Sequence, residues 1–296
     1  MKKKVLITGG AGFIGSDVKN TLSKSDCEIL TVGRNKKEDY EIDLQNLRLE
    51  KIISDFSPDI VCHFASGSNI QRAGEDKEKD FTDTVVSTQN LINCLFKKPV
   101  KIIYLSSQSV YGFPEYLPVS EVHPAKPVTI YGENKLKAER LIIQSKLNHV
   151  IFRVSSVFGG GQDYSKSGVI AKFISRMKNN QSPLVFNSFD LFCDLIYIND
   201  LTSAIVKAID KESIKNEIFN LGSGKSMTLK EILDILYKYF PNAPRPELIK
   251  NSFYMDKKEK CLYLDITKAQ TKLQWSLKYS VEDGLKEILQ SHLIIK

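Results

Sequence analysis

The chain has 296 residues, 42% of them hydrophobic and 26% charged, with a net charge of +7. That is an ordinary soluble composition, long enough for one large domain or a large and a small one sharing a cleft. Its apolar runs are strand-sized, which excludes a membrane partner, and its lysines are interspersed with acids rather than gathered into a nucleic-acid surface.

Met1-Lys2-Lys3-Lys4 resembles the basic start of a signal peptide, but Gly9-Gly10 breaks the apolar run that follows, so the segment reads as the entry to a first strand. The five cysteines (Cys27, Cys62, Cys94, Cys193 and Cys261) are scattered, with no C-x-x-C pair. Neither a disulfide framework nor a zinc site is expected, and a reducing, cytoplasmic setting is.

Strand-like runs at Val5–Thr8, Ile29–Val32, Ile60–Phe64, Ile102–Leu105 and Val150–Arg153 alternate with helically spaced segments. Those segments are Ile14–Leu22, Leu47–Phe56, Phe81–Phe96 and Tyr131–Gln144. The alternation predicts an α/β fold, a doubly wound parallel (Rossmann) sheet over residues 1–160 with ligands beyond the carboxyl ends of its strands. From 161 to 296 the pattern loosens into a smaller, mostly helical substrate lobe, and the chain is free to cross between the two. Expected there are a helix near Ile170–Met177, strands near Leu195–Ile198 and Ile218–Leu221, and a capping box at Thr228–Glu231 opening a helix to about Phe240. Ser280–Asp283 opens a last helix.

Gly9, Gly12 and Gly15 fall between the first strand and the first helix. Glycines there allow a tight turn and close approach to a pyrophosphate, while the helix start, Phe13 and Ile14 included, presents free amides and a positive dipole end. An acid about twenty residues further on would bind the adenosine ribose, whereas an arginine accommodates a 2′-phosphate. Here Arg34 stands after the second strand with Lys36 and Lys37 beside it, which favours NADP(H) and leaves NAD(H) open.

Ser106 and Ser107 close a strand, and Tyr131 and Lys135 stand at i and i+4 on the next helix, sharing one face. A free phenol, with a pKa of about 10, is a poor acid–base catalyst at neutral pH. A lysine ammonium and the positive nicotinamide ring would lower that value, and Ser107 would hold the reacting oxygen against Tyr131. The order glycine loop, serine at a strand end, then Tyr and Lys carries more weight than any one motif. His63, on a central strand, reads as a packed core residue, and His123, His149 and His292 have no metal-ligand spacing.

With these residues in place the chain resembles the extended short-chain dehydrogenases, the NAD-dependent epimerase/dehydratase family, over nearly its whole length. Asp43-Leu44 resembles the adenine-contacting pair, and His63-Phe64-Ala65-Ser66 the stretch under the cofactor. Ser106 to Gly112 is similar to the active-site strand, Glu121, Pro124 and Pro127 precede Tyr131 as in family members, and Arg153–Gly159 and Asp194–Leu201 match later motifs. The resemblance implies a sugar-nucleotide substrate, a homodimer, catalysis by Ser107, Tyr131 and Lys135, and cofactor contacts from Phe64, Ala65, Ser66, Asp43 and Leu44. It places Ser109 and Ser156 toward the substrate.

Departures narrow the reaction. Gln108-Ser109 stands where dehydratases carry an Asp-Glu pair, so water elimination lacks its acid and base. Cys193 occupies the place of an arginine that binds the substrate diphosphate, with Lys166, Lys172, Arg176, Lys257 and Lys258 as candidate replacements. The short connection from Arg34 to Asp43 is similar to 4-ketoreductases. The expectation is an NADPH-dependent 4-keto-sugar-nucleotide reductase, with an NAD-dependent 4-epimerase as the alternative. A non-catalytic dinucleotide sensor is more remote, because Ser107, Tyr131 and Lys135 are all intact. The dimer contact is expected from Val85, Leu91 and Leu95 with Leu136 and Leu141.

Overall fold

A computed structural model describes residues 2–67, 70–96, 98–162, 168–250 and 262–292. The first half alternates as its apolar pattern requires: β1 (Lys3–Thr8), α1 (Phe13–Leu22), β2 (Cys27–Gly33), β3 (Tyr40–Glu41), α2 (Arg48–Phe56) and β4 (Ile60–His63). There follow α3 (Ile70–Glu75), α4 (Lys77–Phe81), α5 (Ser87–Cys94), β5 (Lys101–Ser107), α6 (Ile130–Gln144) and β6 (Asn148–Val154). Side chains of successive strand residues point to opposite faces. Accordingly Val5, Ile7, Cys62, Ile103 and Val150 enter one core, and Leu6, Val61, Ile102, Tyr104 and Ile151 the other.

The expected helix over Phe81–Phe96 is wound in three parts, α4, a π turn at Thr82–Val86, and α5. The Ser87 hydroxyl reaches the Thr82 carbonyl at 3.2 Å, and that of Thr88 the Thr84 carbonyl. Val85, Leu91, Leu95 and Leu136 are 9% exposed or less and pack inside their own subunit. The expectation that they supply a dimer contact is corrected. A helix lying on a sheet shows the same apolar spacing as one lying in a bundle. The exposed apolar residues of these helices are Phe81, Val86 and Ile143.

Beyond β6 come β7 (Ser156–Phe158), α7 (Val169–Lys178), β8 (Leu184–Phe186), β9 (Phe192–Cys193), β10 (Leu195–Tyr197), α8 (Ile198–Asp210) and β11 (Glu217–Leu221). The chain ends with β12 (Met227–Thr228), α9 (Leu229–Tyr239), β13 (Glu247–Ile249), α10 (Thr267–Lys272) and α11 (Val281–His292). β11 pairs parallel with β6, giving a seven-stranded parallel sheet of order β11-β6-β5-β4-β1-β2-β3. The boundary expected at residue 160 is therefore crossed: α8 covers α1 and β11 extends the sheet, so both belong to the larger domain. The lobe is built on the short pairs β10–β7, β12–β9 and β13–β8. The capping box is present, with Thr228 and Glu231 bonded reciprocally at the start of α9. Trp275 is buried and donates its indole N–H to the Asp200 carbonyl and the Ser203 hydroxyl. Among the described residues no helix is long and apolar enough to cross a membrane.

Candidate active site

The candidate residues gather along the carboxyl edge of the sheet. Gly9 sits in the left-handed region at φ 72°, and a Cβ on it would come to 2.9 Å from the Ala65 amide. A Cβ on Gly15 would come to 2.1 Å from the Gly9 carbonyl, so the loop, the first turn of α1 and the turn after β4 close on one another only without side chains. Gly12 caps α1 with no side-chain hydrogen bond. The amides of Phe13, Ile14 and Gly15 form its first turn, where helical donors lack partners in the helix. These residues fit a dinucleotide diphosphate.

At the adenosine end the structure adds a residue the sequence reading missed. The Glu38 carboxylate turns back onto the glycine loop, where its Oε1 accepts from the Ala11 amide at 2.8 Å. Its Oε2 is buried without a hydrogen-bond partner, 3.0 Å from where a Gly10 Cβ would stand. Arg34 points elsewhere, to Asp83 through two hydrogen bonds of 2.8 Å each, with Asp43 3.7 Å away. Leu44 is buried against α2 and α5. The signal for Glu38 was an acid some twenty residues past the glycines, masked by the neighbouring Lys36, Lys37 and Asp39.

His63 joins the two sides of the sheet edge. Its Nδ1 lies 2.7 Å from the Thr8 hydroxyl and its Nε2 2.9 Å from that of Thr88. Thr88 donates to the Thr84 carbonyl, so its oxygen accepts from Nε2–H, and Nδ1 accepts from Thr8. Burial, then the Lys135 charge, pushes the imidazole down to about 3, and it stays neutral.

Thr129 caps α6 by accepting from the Gly132 amide at 3.1 Å. Gly132 also lets the helix start press against the 108–110 turn, since a Cβ there would lie 2.5 Å from the Ser109 carbonyl. That contact brings Tyr131 to Ser107. The Ser107 hydroxyl donates to that of Ser109 at 3.1 Å and accepts from its amide at the same distance. Lys135 is buried, and its ammonium donates to Ser66 Oγ at 2.8 Å and the Leu105 carbonyl at 2.7 Å. It stands 5.7 Å from the centre of the Tyr131 ring and 5.0 Å from that of Tyr104.

Without nucleotide, burial, followed by the Asp80 charge, pushes the Tyr131 phenol up to about 12, with Ser107 opposing. The positive nicotinamide ring invoked for lowering it would come only with the bound cofactor. The Lys135 ammonium, engaged by Ser66 and Leu105, is itself pushed down to about 8 by burial, with Asp80 and Glu139 opposing.

Beyond β6, Ser156 is exposed at the start of β7, and Asp194 is fully buried, accepting from the Ser223 amide and hydroxyl and the Leu264 amide. Cys193 is half-buried on β9. Of the candidate diphosphate anchors, Arg176 gives its Nε to the Ser182 carbonyl, and Lys172 is half-buried on α7. Lys166, Lys257 and Lys258 lie outside the described residues, as does Cys261.

A glycine cradle at the first strand, and a serine, a tyrosine and a lysine converging at the next strand ends, define a dinucleotide-binding α/β enzyme. The sequence matches the NAD dependent epimerase/dehydratase family over residues 5–222, and the chain belongs to that family. It is 32% identical to a putative UDP-glucose 4-epimerase of Methanocaldococcus jannaschii, over 96% of this chain and 97% of that protein. It is 28% identical to the dTDP-4-dehydro-6-deoxyglucose reductase of Escherichia coli, over 98% of each. Its fold superposes on the UDP-glucuronic acid 4-epimerase of Bacillus cereus, solved with UDP-glucuronic acid and NAD, with a TM-score of 0.88 at 26% identity, covering 97% and 99% of the two chains. The protein is thus an enzyme of the extended short-chain dehydrogenase type.

Proposed function

We propose that this chain is an NAD-dependent sugar-nucleotide 4-epimerase acting on a UDP-sugar. The observation that carries the reading is the adenosine end of the cradle: Arg34 is closed on Asp83, while the Glu38 carboxylate stands at the glycine loop, where it would accept from ribose hydroxyls and repel a 2′-phosphate. The NADP(H) preference inferred from Arg34 is replaced by NAD(H). The epimerases among the relatives support the same choice. The short connection after Arg34 and the likeness to a deoxysugar reductase support 4-keto reduction as the second reading.

Bound NAD supplies a hydride acceptor that can return the hydride to either face of the sugar. Ser107 hydrogen-bonds the reacting hydroxyl and holds it at Tyr131, whose phenolic oxygen takes the proton on oxidation and gives it back on reduction. Lys135, anchored by Ser66 and the Leu105 carbonyl, keeps positive charge on the Tyr131 side of the site and would hold the nicotinamide ribose. Ser109 and Ser156 would border the sugar. Scattered cysteines support a cytoplasmic setting, and exposed Phe81, Val86 and Ile143 support a twofold contact through α4–α6, which light scattering at micromolar concentration tests.

Purified protein should interconvert UDP-glucose and UDP-galactose with no added reductant and retain bound NAD through gel filtration. Net consumption of NADPH by a 4-keto sugar nucleotide, with no interconversion, would establish the reductase reading instead.

A further inference from the structure

Beneath Tyr131 and Lys135 lies a carboxylate that the mechanism above leaves idle. Asp80, on the inner side of α4, is 5% exposed. Its Oδ2 accepts from Asn134 Nδ2 at 2.8 Å, and Asn134, also buried, stands in α6 immediately before Lys135. Its Oδ1 presses on Gly67 so closely that a Cβ there would overlap it at 1.8 Å. Gly67 follows Ser66, the acceptor of the Lys135 ammonium, and its amide donates to the Thr84 hydroxyl at 2.9 Å. A buried carboxylate is costly unless paired or hydrogen-bonded, yet Asp80 makes no ion pair within 4 Å of Lys135. The Ser66–Gly67 turn, Thr84 and Asn134 hold the negative charge near the ammonium without letting the two close.

We propose that Asp80 is a positioning residue for the reacting pair: clamped by Asn134 under the Ser66–Gly67 turn, its carboxylate keeps the Lys135 ammonium protonated. The inference rests on the reading of Tyr131 and Lys135 as that pair. Asp80 is the largest influence opposing the burial of Lys135. Its own carboxyl is lifted by burial, with Asn134 and Lys135 opposing and Asp83 adding to the lift. The other titratable groups around the pair are Glu139 on α6 and, from β4, His63, which is neutral. Arg72 and Glu75 of α3, and Lys77, Glu78 and Lys79 of α4, are exposed at the surface. An acid on the outer face of α4 would serve the helix equally well. The inward position serves the site.

The ε-carbon resonance of Lys135, assigned by its absence from Lys135→Met, can be followed against pH in protein carrying isotope-labelled lysine. In Asp80→Asn, which keeps an acceptor for Asn134, the midpoint should fall by about one pH unit, the lower end of what a neighbouring charge does. Asn134→Ala removes the bond that keeps Asp80 charged, and should shift the midpoint the same way by less. It decides the matter if Asp80→Asn does not fold. A Lys135 midpoint unchanged in both variants, whatever their melting temperatures, overturns the proposal and reduces Asp80 to a packing residue. A shifted midpoint alongside a fully active Tyr131→Phe would instead sink the reacting-pair reading and leave the charge coupling standing.

Discussion

Arg34 closes on Asp83 as a fork on a carboxylate, with both hydrogen bonds at 2.8 Å. The pair bridges the end of β2 to the π turn before α5, and a guanidinium engaged this way has lost its best geometry for a second anion. Arg34→Ala should leave the ratio of NADH to NADPH affinity within about a factor of three, since no nucleotide contact is removed. A collapse of NADPH binding alone in that variant would restore the arginine to the role its position suggested.

Glu38 carries the opposite expectation. Glu38→Gln removes the charge that would repel a 2′-phosphate while keeping an acceptor for the Ala11 amide. The preference for NADH should shrink by about tenfold to a hundredfold, the worth of one charge-assisted contact. Fluorescence titration with the two reduced nucleotides reads the ratio, and an unmoved ratio would show that Glu38 only braces the loop.

Tyr131→Phe removes the hydroxyl and little else. Turnover should fall about 10²–10⁴-fold with KM nearly unchanged, because proton transfer is lost and binding is not. Lys135→Met should lower both turnover and cofactor affinity. Full activity in the phenylalanine variant would send the search for the reacting group elsewhere.

The pH dependence of the free enzyme follows from Lys135. Its ammonium is fully present below the value of about 8 to which burial pushes it, and is lost as pH rises through that value. kcat/KM should therefore decline on the alkaline side from about pH 8. A profile flat to pH 10 would show that Lys135 need not be charged.

Behind the site, Arg153 grips Glu139 with both residues buried, the Ser106 hydroxyl donating to the same carboxylate and the Tyr111 ring lying 4.9 Å from the guanidinium. Glu139→Ala leaves the arginine uncompensated and should cost about 3–5 kcal/mol in denaturant unfolding. A loss below about 1 kcal/mol would mean that water reaches Arg153 and the pair is effectively exposed.

The parts legible in the sequence were those written locally. The strand, glycine turn and helix around Gly9–Gly15 occupy one short stretch, and Tyr131 and Lys135 share a face because helices repeat. Glu38 and Asp80 were not legible, because each sits in a run of charges, and which acid turns inward depends on Gly10, Gly67 and Asn134 arriving from elsewhere. The Ser66 and Leu105 acceptors of the Lys135 ammonium were not legible for a related reason, since no spacing announces them. The lobe's pairs β12–β9 and β13–β8 have only two or three residues per strand, too few for an alternation to register.

The return of β11 to the sheet has a bearing on how this chain can be cut or assembled. Ending the polypeptide at residue 160 would leave β6 as a bare edge, and would strip α8 from α1, baring Val18 and Leu22. A bare edge strand and an uncovered apolar face are the features that make a fragment aggregate. The nucleotide half is thus not a module that could be expressed, swapped or inherited alone. During synthesis its sheet stays unfinished until the strand at Glu217–Leu221 has emerged, after α7 and β8 to β10 of the lobe have been made.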